Sequence, residues 1–502
     1  MNTQLRLISK IAAILFFLST AVYAQQLSAG RLDNFTGHPR VFVTSDIGNE
    51  PDDQMSFVRL LLYSNELDIE GLVATTSTWQ KAAIHPETMH SIIAAYGQVQ
   101  LNLLKHAEGW PTAEHLDALV NSGQPAYGLA ATGAGKSSSG SQALIKAADR
   151  DDPRPLWITI WGGANTFAQA LLDVRATRSP AELAKFVAQL RVYSISDQDD
   201  AGPWIRKEFP DLFYIVTPSP PNSQEYAYAT WTGISGDVYY RNGDGADFST
   251  VTNEWLDANI RKGPMGKWYP KFAFIMEGDT PSFLGLIDNG LASWWNPSWG
   301  GWGGRYMFRQ PYGETHPIWA QGGDLFPRVN SQDTVIGVDG KSHTSDQATI
   351  WRWREAFQHD FAARMDWTIK PFAEANHNPL VVVNGPSGTA PIFMDAVVGQ
   401  PLLLDASRSR DPDGQALQYA WFQYSEAGAS IGQTFSAVNI TGADSSKATI
   451  TPTTVCRPVW IQFPNMKCPD NGTAHIILAV TDNGMPSLTS YRRIVLNIKA
   501  AK

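Results

Sequence analysis

Apolar runs of strand length alternate with helical patterns along the first two thirds of the chain. The runs "RVFVTSD", "IEGLVATTS", "PLWITIWGG" and "LRVYSIS" each precede a helical stretch, such as "PDDQMSFVRLLLYS" after the first run. This alternation predicts βαβ units and an α/β domain whose mostly parallel sheet has flanking helices. We place this domain at about residues 37–370. The polar turns that follow the strands should gather at the carboxyl ends of the strands, where open α/β sheets bind ligands.

A different pattern occupies about residues 378–502. "QPLLLDASRSRDPDGQALQYAWFQY" and "AHIILAVTDNGMPSLTSYRRIVLNIK" contain short alternating strands, separated by Asp-Pro-Asp-Gly and Asp-Asn-Gly turns. This spacing is typical of a β-sandwich. We therefore predict a second, immunoglobulin-like domain in the C-terminal part of the chain.

The first residues carry the pattern of an export signal. Arg6 and Lys10 precede an apolar run that ends near Leu18, and Val22 and Ala24 fit a signal-peptidase site. The run is shorter than the about 20 residues that a membrane-spanning helix needs. We expect residues 1–24 to be removed and the mature protein to be secreted or periplasmic, with no membrane anchor.

Composition narrows the class of protein further. The chain has 502 residues, of which 43% are hydrophobic and 17% charged, as in folded soluble proteins of two or three domains. Its net charge of −9 and its lack of a basic run argue against nucleic-acid binding. Cys456 and Cys468 suit a disulfide that closes a local loop, since a metal site would need more ligands than this stretch offers. The sequence leaves the oligomeric state open.

The stretch "TSDIGNEPDDQMS" packs four carboxylates into eight positions, from Asp46 to Asp53. Asp46 ends a predicted strand, while Pro51 is a natural first helical residue that places Asp52 in the first helical turn. First-turn acids gain about 0.3–1 kcal/mol each from the helix dipole. Two carboxylates about 4 Å apart repel by about 4 kcal/mol at an effective dielectric of 20. If Asp46 faces that turn, the gain from the helix dipole is smaller than this repulsion. A bound calcium or magnesium ion would offset the repulsion.

The motif "VTSDIGNEPDDQMS" resembles the amino-terminal signature of the nucleoside hydrolases, and "WITIWGGANTFAQALL" resembles a later strand, turn and helix of that fold. The similarity is closer to a secreted, cellulose-binding family with a nucleoside-hydrolase-like domain. That resemblance covers nearly the whole mature chain and includes "SDQDDAGPWI", "EGDTPSFLGLIDNGL" and "GGWGGRY". It implies a Ca²⁺ site and a sugar substrate.

The resemblance also implies roles for individual residues. Asp46 would be the general base that deprotonates a metal-bound water, and it would also lie among the metal ligands. The other implied ligands are Asp53, the carbonyl of Trp161, and Asp279. Asp52 would accept a hydrogen bond from a sugar hydroxyl, and Asn165 of the "GGANT" turn would contact the substrate.

The chain departs from the nucleoside hydrolases at positions that matter for substrate choice. Trp79 stands where a ribose-binding Asn is expected, and we expect it to contact the substrate in its place. Gly278 stands where some of the enzymes have a His that protonates a purine. Glu277 or Glu50 could replace that His as the acid for an O-glycoside. Glu50, in the lengthened loop before Asp52, could also contact the substrate.

Two further groups are candidate substrate contacts. Trp299 and Trp302 lie in the Gly-rich stretch "ASWWNPSWGGWGGRYM" and could stack on sugar rings, although core packing is the usual fate of Trp. Asp197 and Asp199 in "SDQDDAG" could face the pocket or serve as simple turn acids.

Three functions remain open at this point. The first is a calcium-dependent glycoside hydrolase for a pentofuranoside or related plant-type saccharide, with the sandwich as an accessory module. The second is a non-catalytic cellulose- or carbohydrate-binding protein that has kept the metal site. The third is a periplasmic nucleoside hydrolase. A saccharide or polysaccharide is the expected partner in the first two.

Overall fold

The computed structural model describes residues 37–218, 229–235, 245–272, 275–321, 331–428, 434–458 and 470–501. The predicted signal segment and Cys468 lie outside these residues. No helix among the described residues is both long enough and apolar enough to span a bilayer.

An eight-stranded sheet forms the centre of the N-terminal part, with strand order β3-β2-β1-β4-β5-β6-β8-β7. Neighbouring strands are parallel, except that β7 runs antiparallel to β8. The strands are β1 Arg40–Ser45, β2 Asp68–Ala74, β3 Val120–Ser122, β4 Leu156–Ile160, β5 Leu190–Ser194, β6 Phe213–Val216, β7 Met307–Arg309 and β8 Ile318–Ala320.

Helices cover both faces of this sheet. In β1, Val41 and Val43 belong to the larger apolar core, whereas Phe42 belongs to a second core on the opposite face. This alternation explains why the whole strand is buried. The helices are α1 Pro51–Leu61, α2 Pro86–Gly97, α3 Gln100–Leu103, α4 Ala113–Asp117, α5 Ser139–Ala148, α6 Asn165–Thr177, α7 Pro180–Ala188, α8 Ala201–Glu208, α9 Asn253–Asn259, α10 Gly263–Gly266, α11 Pro281–Leu284, α12 Ala348–Trp351 and α13 Arg354–Trp367.

The C-terminal part is a β-sandwich. One sheet has the order β11-β17-β16-β13 and the other β12-β15-β14, and Leu404 and Ile450 of the second pack with Ile476 and Leu496 of the first in one core. A hairpin of β9 and β10 precedes α12. The strands are β9 Asp333–Ile336, β10 Ser342–Ser345, β11 Ile392–Val397, β12 Leu402–Asp405, β13 Leu417–Gln423, β14 Thr434–Thr441, β15 Lys447–Pro458, β16 Asn471–Asp482 and β17 Thr489–Lys499.

The predicted fold class is confirmed in both parts. Each predicted apolar run forms a strand, and a helix follows the polar turn after it. The runs are almost continuously apolar because strands of a parallel sheet are buried on both faces. The two domain limits, residues 37–370 and 378–502, stay predictions.

A close approach between β1 and β2 sets the position of the strand that leads into the acidic motif. The register of this pair shifts between Val41 and Phe42, and Phe42 then lies opposite Gly71. A Cβ atom on Gly71 would lie 2.1 Å from Cε2 of Phe42, so the aromatic ring occupies the space of the missing side chain. Gly71 is therefore required by packing.

We expect Gly71→Ala to lower the free energy of unfolding by about 1–3 kcal/mol, because the added methyl group overfills a packed core. Urea denaturation measures the change as a lower midpoint with an unchanged slope. Phe42→Leu serves as the second arm of a double-mutant cycle, since it makes room for the methyl group. Strictly additive effects of the two substitutions would show that this contact is not the cause.

Candidate metal centre

The strand order of the main sheet reverses between β1 and β4. The chain continues from β1 to β2 and β3 on one side, and from β4 to β5 and β6 on the other. Such a switch point opens a crevice at the carboxyl ends of its two strands. Asp46 follows β1 and Trp161 follows β4, and the backbone N–H of Trp161 donates to the carbonyl of Thr44 at 2.8 Å. The two residues therefore flank this crevice.

Three carboxylates converge beside it. Asp52 and Asp53 lie in the first turn of α1, and Asp279 lies just before α11. One oxygen from each residue lies within 4.8 Å of the other two, and the residues are only 8%, 4% and 3% exposed. Two of the predicted metal ligands, Asp53 and Asp279, are thus brought together. Asp52, which was expected to contact sugar, is the third member, and Asp46 lies outside this closest group.

Burial and mutual repulsion raise the pKa values of these carboxyl groups. Burial is the larger cause for each, and the next contributions come from Glu50 for Asp52, from Asp46 for Asp53, and from Asp53 for Asp279. Burial also raises the pKa of Asp46 to about 7. Within the described part of the chain, no Lys or Arg forms an ion pair with any of the four aspartates, so their repulsion is not offset by protein charge.

Several oxygens of the centre lack a hydrogen-bond donor. Asp46 Oδ1, Asp52 Oδ1 and Asp279 Oδ2 are buried without a partner among the described residues, whereas Asp53 accepts from the Ser45 hydroxyl. Buried polar atoms are nearly always partnered. A ligand that brings positive charge would satisfy them, and an all-oxygen donor set suits Ca²⁺ or Mg²⁺. The residues present therefore fit a hard divalent cation.

The turn after β4 packs directly against these acids. A Cβ atom on Gly162 would lie 2.6 Å from Asp46 Oδ1, and one on Gly163 would lie 2.5 Å from Asp199 Oδ2. Asp199 is buried and accepts from the backbone N–H of Asn165 at 3.1 Å. This contact supports the turn, and the predicted substrate contact of Asp199 stays a prediction. Asn165 is buried, and its Oδ1 has no partner among the described residues. Its predicted contact with the substrate stays a prediction.

Gln198 belongs to the centre and was missed by the sequence analysis. Its Nε2 donates to the carbonyl of Trp161 at 2.5 Å, while its Oε1 is buried and has no donor within the described ranges. The Trp161 carbonyl, a predicted metal ligand, therefore already accepts one hydrogen bond and has one lone pair left. Gln198 lies inside the quoted stretch "SDQDDAGPWI", but the sequence does not show that it, rather than Asp197 or Asp199, contacts Trp161. That contact depends on how β5 and β4 pair.

Glu277 was predicted as a catalytic acid, and this prediction is wrong. The residue is fully buried, and Arg59 Nη2 of α1 donates to its Oε1 at 3.1 Å. The hydroxyl of Tyr269 donates to the same oxygen, and Thr280 Oγ1 donates to Oε2 at 2.9 Å. A carboxylate held by a guanidinium and two hydroxyls is a structural ion pair with no free oxygen for a substrate.

Asp197 was also predicted as a substrate contact, and the structure contradicts this. Both of its oxygens accept from Arg206 of α8, each at 2.8 Å, in a buried bidentate pair. Arg206 also forms an ion pair with Glu314, in which Nη2 of Arg206 lies 2.6 Å from Oε1 of Glu314. Asp197 therefore anchors α8 rather than a ligand.

Trp299 and Trp302 were expected to offer exposed faces for sugar rings, and this prediction is wrong. Each residue is 2% exposed. The Trp299 ring lies edge-on to His475 of the sandwich, and the Trp302 ring lies edge-on to Tyr491. Both rings are covered by the C-terminal domain, which the local sequence around them does not reveal.

Glu50 and Trp79 remain at the open side of the centre. Glu50 is the partly buried N-cap residue of α1, and its side chain makes no capping hydrogen bond. Trp79 is 45% exposed, and its backbone N–H donates to Ser77 Oγ at 3.0 Å. The next residue, Gln80, donates from Nε2 to the carbonyl of Asp46 at 3.1 Å, which ties the Trp79 loop to the acidic motif. Their predicted substrate contacts stay predictions.

The N-terminal part thus combines a mostly parallel sheet with a carboxylate cluster at its switch point. Residues 40–306 match the family described as "Cellulose-binding Sde182, nucleoside hydrolase-like domain". Residues 402–498 match "Cellulose-binding protein Sde0182, C-terminal domain". The chain belongs to this family, and the resemblance inferred from its sequence is confirmed.

One solved structure is similar over almost the whole chain. It is a nucleoside hydrolase-related hypothetical protein from Saccharophagus degradans, described as associated with carbohydrate metabolism. It is 36% identical, covers 92% of this chain and 100% of its own, and has a TM-score of 0.74.

Two other similarities are too weak to support an argument. The type III effector protein XopQ, solved with adenosine diphosphate ribose, is 12% identical over 61% of this chain and 93% of its own, with a TM-score of 0.30. The PKD domain from KIAA 1837 protein is 22% identical over 24% of this chain and 95% of its own, with a TM-score of 0.15. No curated protein matches the chain.

We expect Asp53→Asn to stabilise the protein when divalent cations are absent. The amide removes one charge from the cluster and keeps an oxygen that can accept from Ser45. The gain in unfolding free energy should be about 1–2 kcal/mol, a fraction of the about 4 kcal/mol between two unit charges 4 Å apart at an effective dielectric of 20. Urea denaturation with EDTA over a series of rising pH values measures it, and the gain should grow with pH because the raised pKa values delay ionisation of the carboxyls.

Asp197→Asn is the matched control, because Asp197 is equally buried but paired with Arg206. Breaking that pair should cost about 3–5 kcal/mol, so the same chemical change should have opposite signs at the two sites. A loss of stability in both variants would contradict the view that the cluster is held together against its own repulsion.

Proposed function

We propose that this protein is an exported, calcium-dependent glycoside hydrolase that acts on a pentofuranoside or related plant-type saccharide. The observation that carries the proposal is the convergence of three buried carboxylates, Asp52, Asp53 and Asp279. Asp52 and Asp279 each have a buried oxygen without a partner among the described residues. The family's cellulose-binding description, and the carbohydrate association printed for the Saccharophagus degradans relative, support a saccharide as the partner.

Asp52, Asp53 and Asp279 would hold the cation. When bound, it would neutralise their charge, polarise a water and orient sugar hydroxyls. Asp46 lies beside this group with a buried, unpartnered Oδ1, so it can take a proton at that atom from the attacking water. Gly162 leaves room for the Asp46 carboxylate, since a Cβ atom at this position would lie 2.6 Å from Oδ1.

The remaining free acceptors favour a ligand rich in hydroxyl groups. Asn165 Oδ1 and Gln198 Oε1 are buried without donors among the described residues. Sugar hydroxyls can donate to both oxygens, and a site built to accept such hydrogen bonds discriminates strongly against ligands that lack them. Trp79 adds an exposed apolar face next to this polar centre, suited to one side of a sugar ring.

Cleavage of an O-glycoside also needs a proton for the departing oxygen. Glu277 is excluded by its ion pair with Arg59, and position 278 is Gly. Glu50 is the remaining candidate near the centre, because its carboxylate is partly buried and is not used as a helix cap. Glu50 therefore takes the role of the acid in this proposal.

A second function is favoured by the ion pair of Glu277 with Arg59, because this pair leaves Glu277 unable to act as the acid. Without a working acid, the centre would bind a saccharide and the cation but would not cleave the sugar. The protein would then be a non-catalytic carbohydrate-binding member of its family. Both functions predict binding of a saccharide and a cation, but only the first predicts that the saccharide is cleaved.

We expect Asp46→Asn to keep calcium binding and to lose sugar release, because the three converging carboxylates remain and the base is removed. Calorimetric titration with calcium measures the first property. Release of reducing sugar from arabinan, xylan and cello-oligosaccharides, and of base from inosine and uridine, measures the second. Loss of one general base typically costs about 10²–10⁴-fold in rate.

Asp211→Asn is the control, since Asp211 is exposed and lies before the amino end of β6, whereas the crevice lies at the carboxyl ends of the strands. Full activity of Asp46→Asn would remove Asp46 from the mechanism. Calcium-dependent sugar binding without any product in the wild type would establish the non-catalytic alternative.

A further inference from the structure

A tryptophan-rich segment, residues 289–304, connects the metal centre to the sandwich. It follows α11 and therefore lies shortly after Asp279 in the chain. Its backbone takes the left-handed conformation at Gly290, Ala292 and Gly300, with φ values of 93°, 52° and 71°. A non-glycine residue such as Ala292 adopts this conformation only when its surroundings enforce it. The segment is thus held in shape by contacts from outside.

Arg493 of β17 supplies the main contact. Its Nε donates to the carbonyl of Leu291 at 2.6 Å, and its Nη2 donates to the carbonyls of Trp299 and Gly300 at 3.1 and 2.8 Å. Its Nη1 lies 3.1 Å from Nδ1 of His475. Burial lowers the pKa of Arg493 to about 9 and that of His475 well below its usual value, so His475 can accept this hydrogen bond. A fully buried guanidinium is here devoted to three backbone carbonyls.

Backbone contacts reinforce this attachment. The N–H of Tyr491 donates to the carbonyl of Asn289 at 3.0 Å, and the N–H of Gly428 donates to the carbonyl of Ser298 at 2.8 Å. A Cβ atom on Gly290 would lie 1.9 Å from the carbonyl oxygen of Tyr491, so the two backbones touch. The sandwich therefore contacts the segment at its start and again around residues 298–300.

The segment in turn holds α11. Ser293 Oγ donates to the carbonyl of Gly285, the residue after α11, at 2.8 Å. Gly303 packs on the same residue so closely that a Cβ atom on it would lie 2.7 Å from Gly285 Cα. Any movement of the segment is thereby passed to the end of this short helix.

The helix completes the connection to the metal centre. Ser282 Oγ donates to the carbonyl of Asp279 at 2.7 Å and accepts from the indole N–H of Trp161 at 2.9 Å. One hydroxyl thus fixes both the residue that carries the third carboxylate and the residue that ends β4. The contacts run without a gap from Arg493 to Asp279.

We infer that Arg493 is a positioning residue for Asp279, and that the sandwich is a structural part of the metal centre rather than an accessory module. The inference rests on the proposed cation binding by Asp52, Asp53 and Asp279. Residues that orient metal ligands from outside the coordination shell commonly change metal affinity by about 10–100-fold when they are replaced. Arg493 acts on the ligand through Leu291, α11 and Ser282, and it touches neither the cation nor the substrate.

The test measures cation binding by the full chain without reference to activity. Terbium replaces calcium at oxygen sites, and its luminescence is sensitised by a nearby indole, such as that of Trp161. We expect Arg493→Met to weaken terbium and calcium binding by about 10–100-fold. Arg493→Lys keeps the charge but not the planar fork, so it should recover part of the affinity.

A milder variant covers the case in which Arg493→Met fails to fold. Ser293→Ala removes only the hydrogen bond to Gly285 and should weaken cation binding by several-fold, about the effect of one lost hydrogen bond of about 1 kcal/mol. Asn376→Ala is the matched control. Asn376 is buried and donates to Asp482 and Pro486 of the sandwich, but these contacts do not lead to the segment. Its variant should be destabilised and should bind terbium as the wild type does.

The outcomes separate the two proposals. No saturable terbium or calcium binding by the wild type would overturn the cation site itself and the inference with it. Wild-type binding that is unchanged in Arg493→Met, Arg493→Lys and Ser293→Ala would overturn the inference alone. Equal weakening by Asn376→Ala would show that general destabilisation, and not positioning, lowers the affinity, and would also overturn it.

Discussion

Repulsion among buried carboxylates at the β1/β4 switch point is the constraint on which the rest of this structure depends. Asp52, Asp53 and Asp279 arrive from two distant parts of the chain, and Asp46 stands beside them without a compensating Lys or Arg among the described residues. A core that served stability alone would replace such a group with apolar side chains. The surroundings instead hold the acids in place, through the Gly-Gly turn after β4, the Ser45 hydroxyl and the short α11.

The sequence predicted the fold class and drew attention to the acidic motif after β1, because both signals are local. Strand and helix periods decide the fold class, and the acidic motif follows a buried strand directly. The errors arose where a distant partner decides the role of a residue. Glu277 looked like a free acid, but Arg59 of α1 pairs with it. The rings of Trp299 and Trp302 looked available for sugar, but β16 and β17 of the sandwich cover them. Such pairings appear only once the chain is folded.

The attachment of the sandwich to the N-terminal domain also depends on contacts between residues that are distant in the sequence. Interfaces between the domains of one chain are commonly modest in area and polar, so the domains can move relative to each other. Here the interface contains buried groups from both sides, including Arg493, Tyr424 and Asp333, whose carboxylate accepts from the Tyr424 hydroxyl at 2.6 Å. Buried guanidinium and carboxylate groups are costly to expose. The domains should therefore separate only when the protein unfolds.

The charge cluster also makes the stability of the fold depend on the supply of divalent cations, and this bears on the predicted export. A ligand that binds only the folded state adds RT ln(1 + [L]/Kd) to stability, about 2.7 kcal/mol at a hundred times Kd. A centre with uncompensated charge would be least stable where divalent cations are scarce, and most stable where they are abundant. Because Asp279 is held through α11 and the tryptophan-rich segment, that gain would extend from the crevice to the sandwich. The repulsion among these carboxylates would then tie the stability of the whole chain to the cation that we propose they bind.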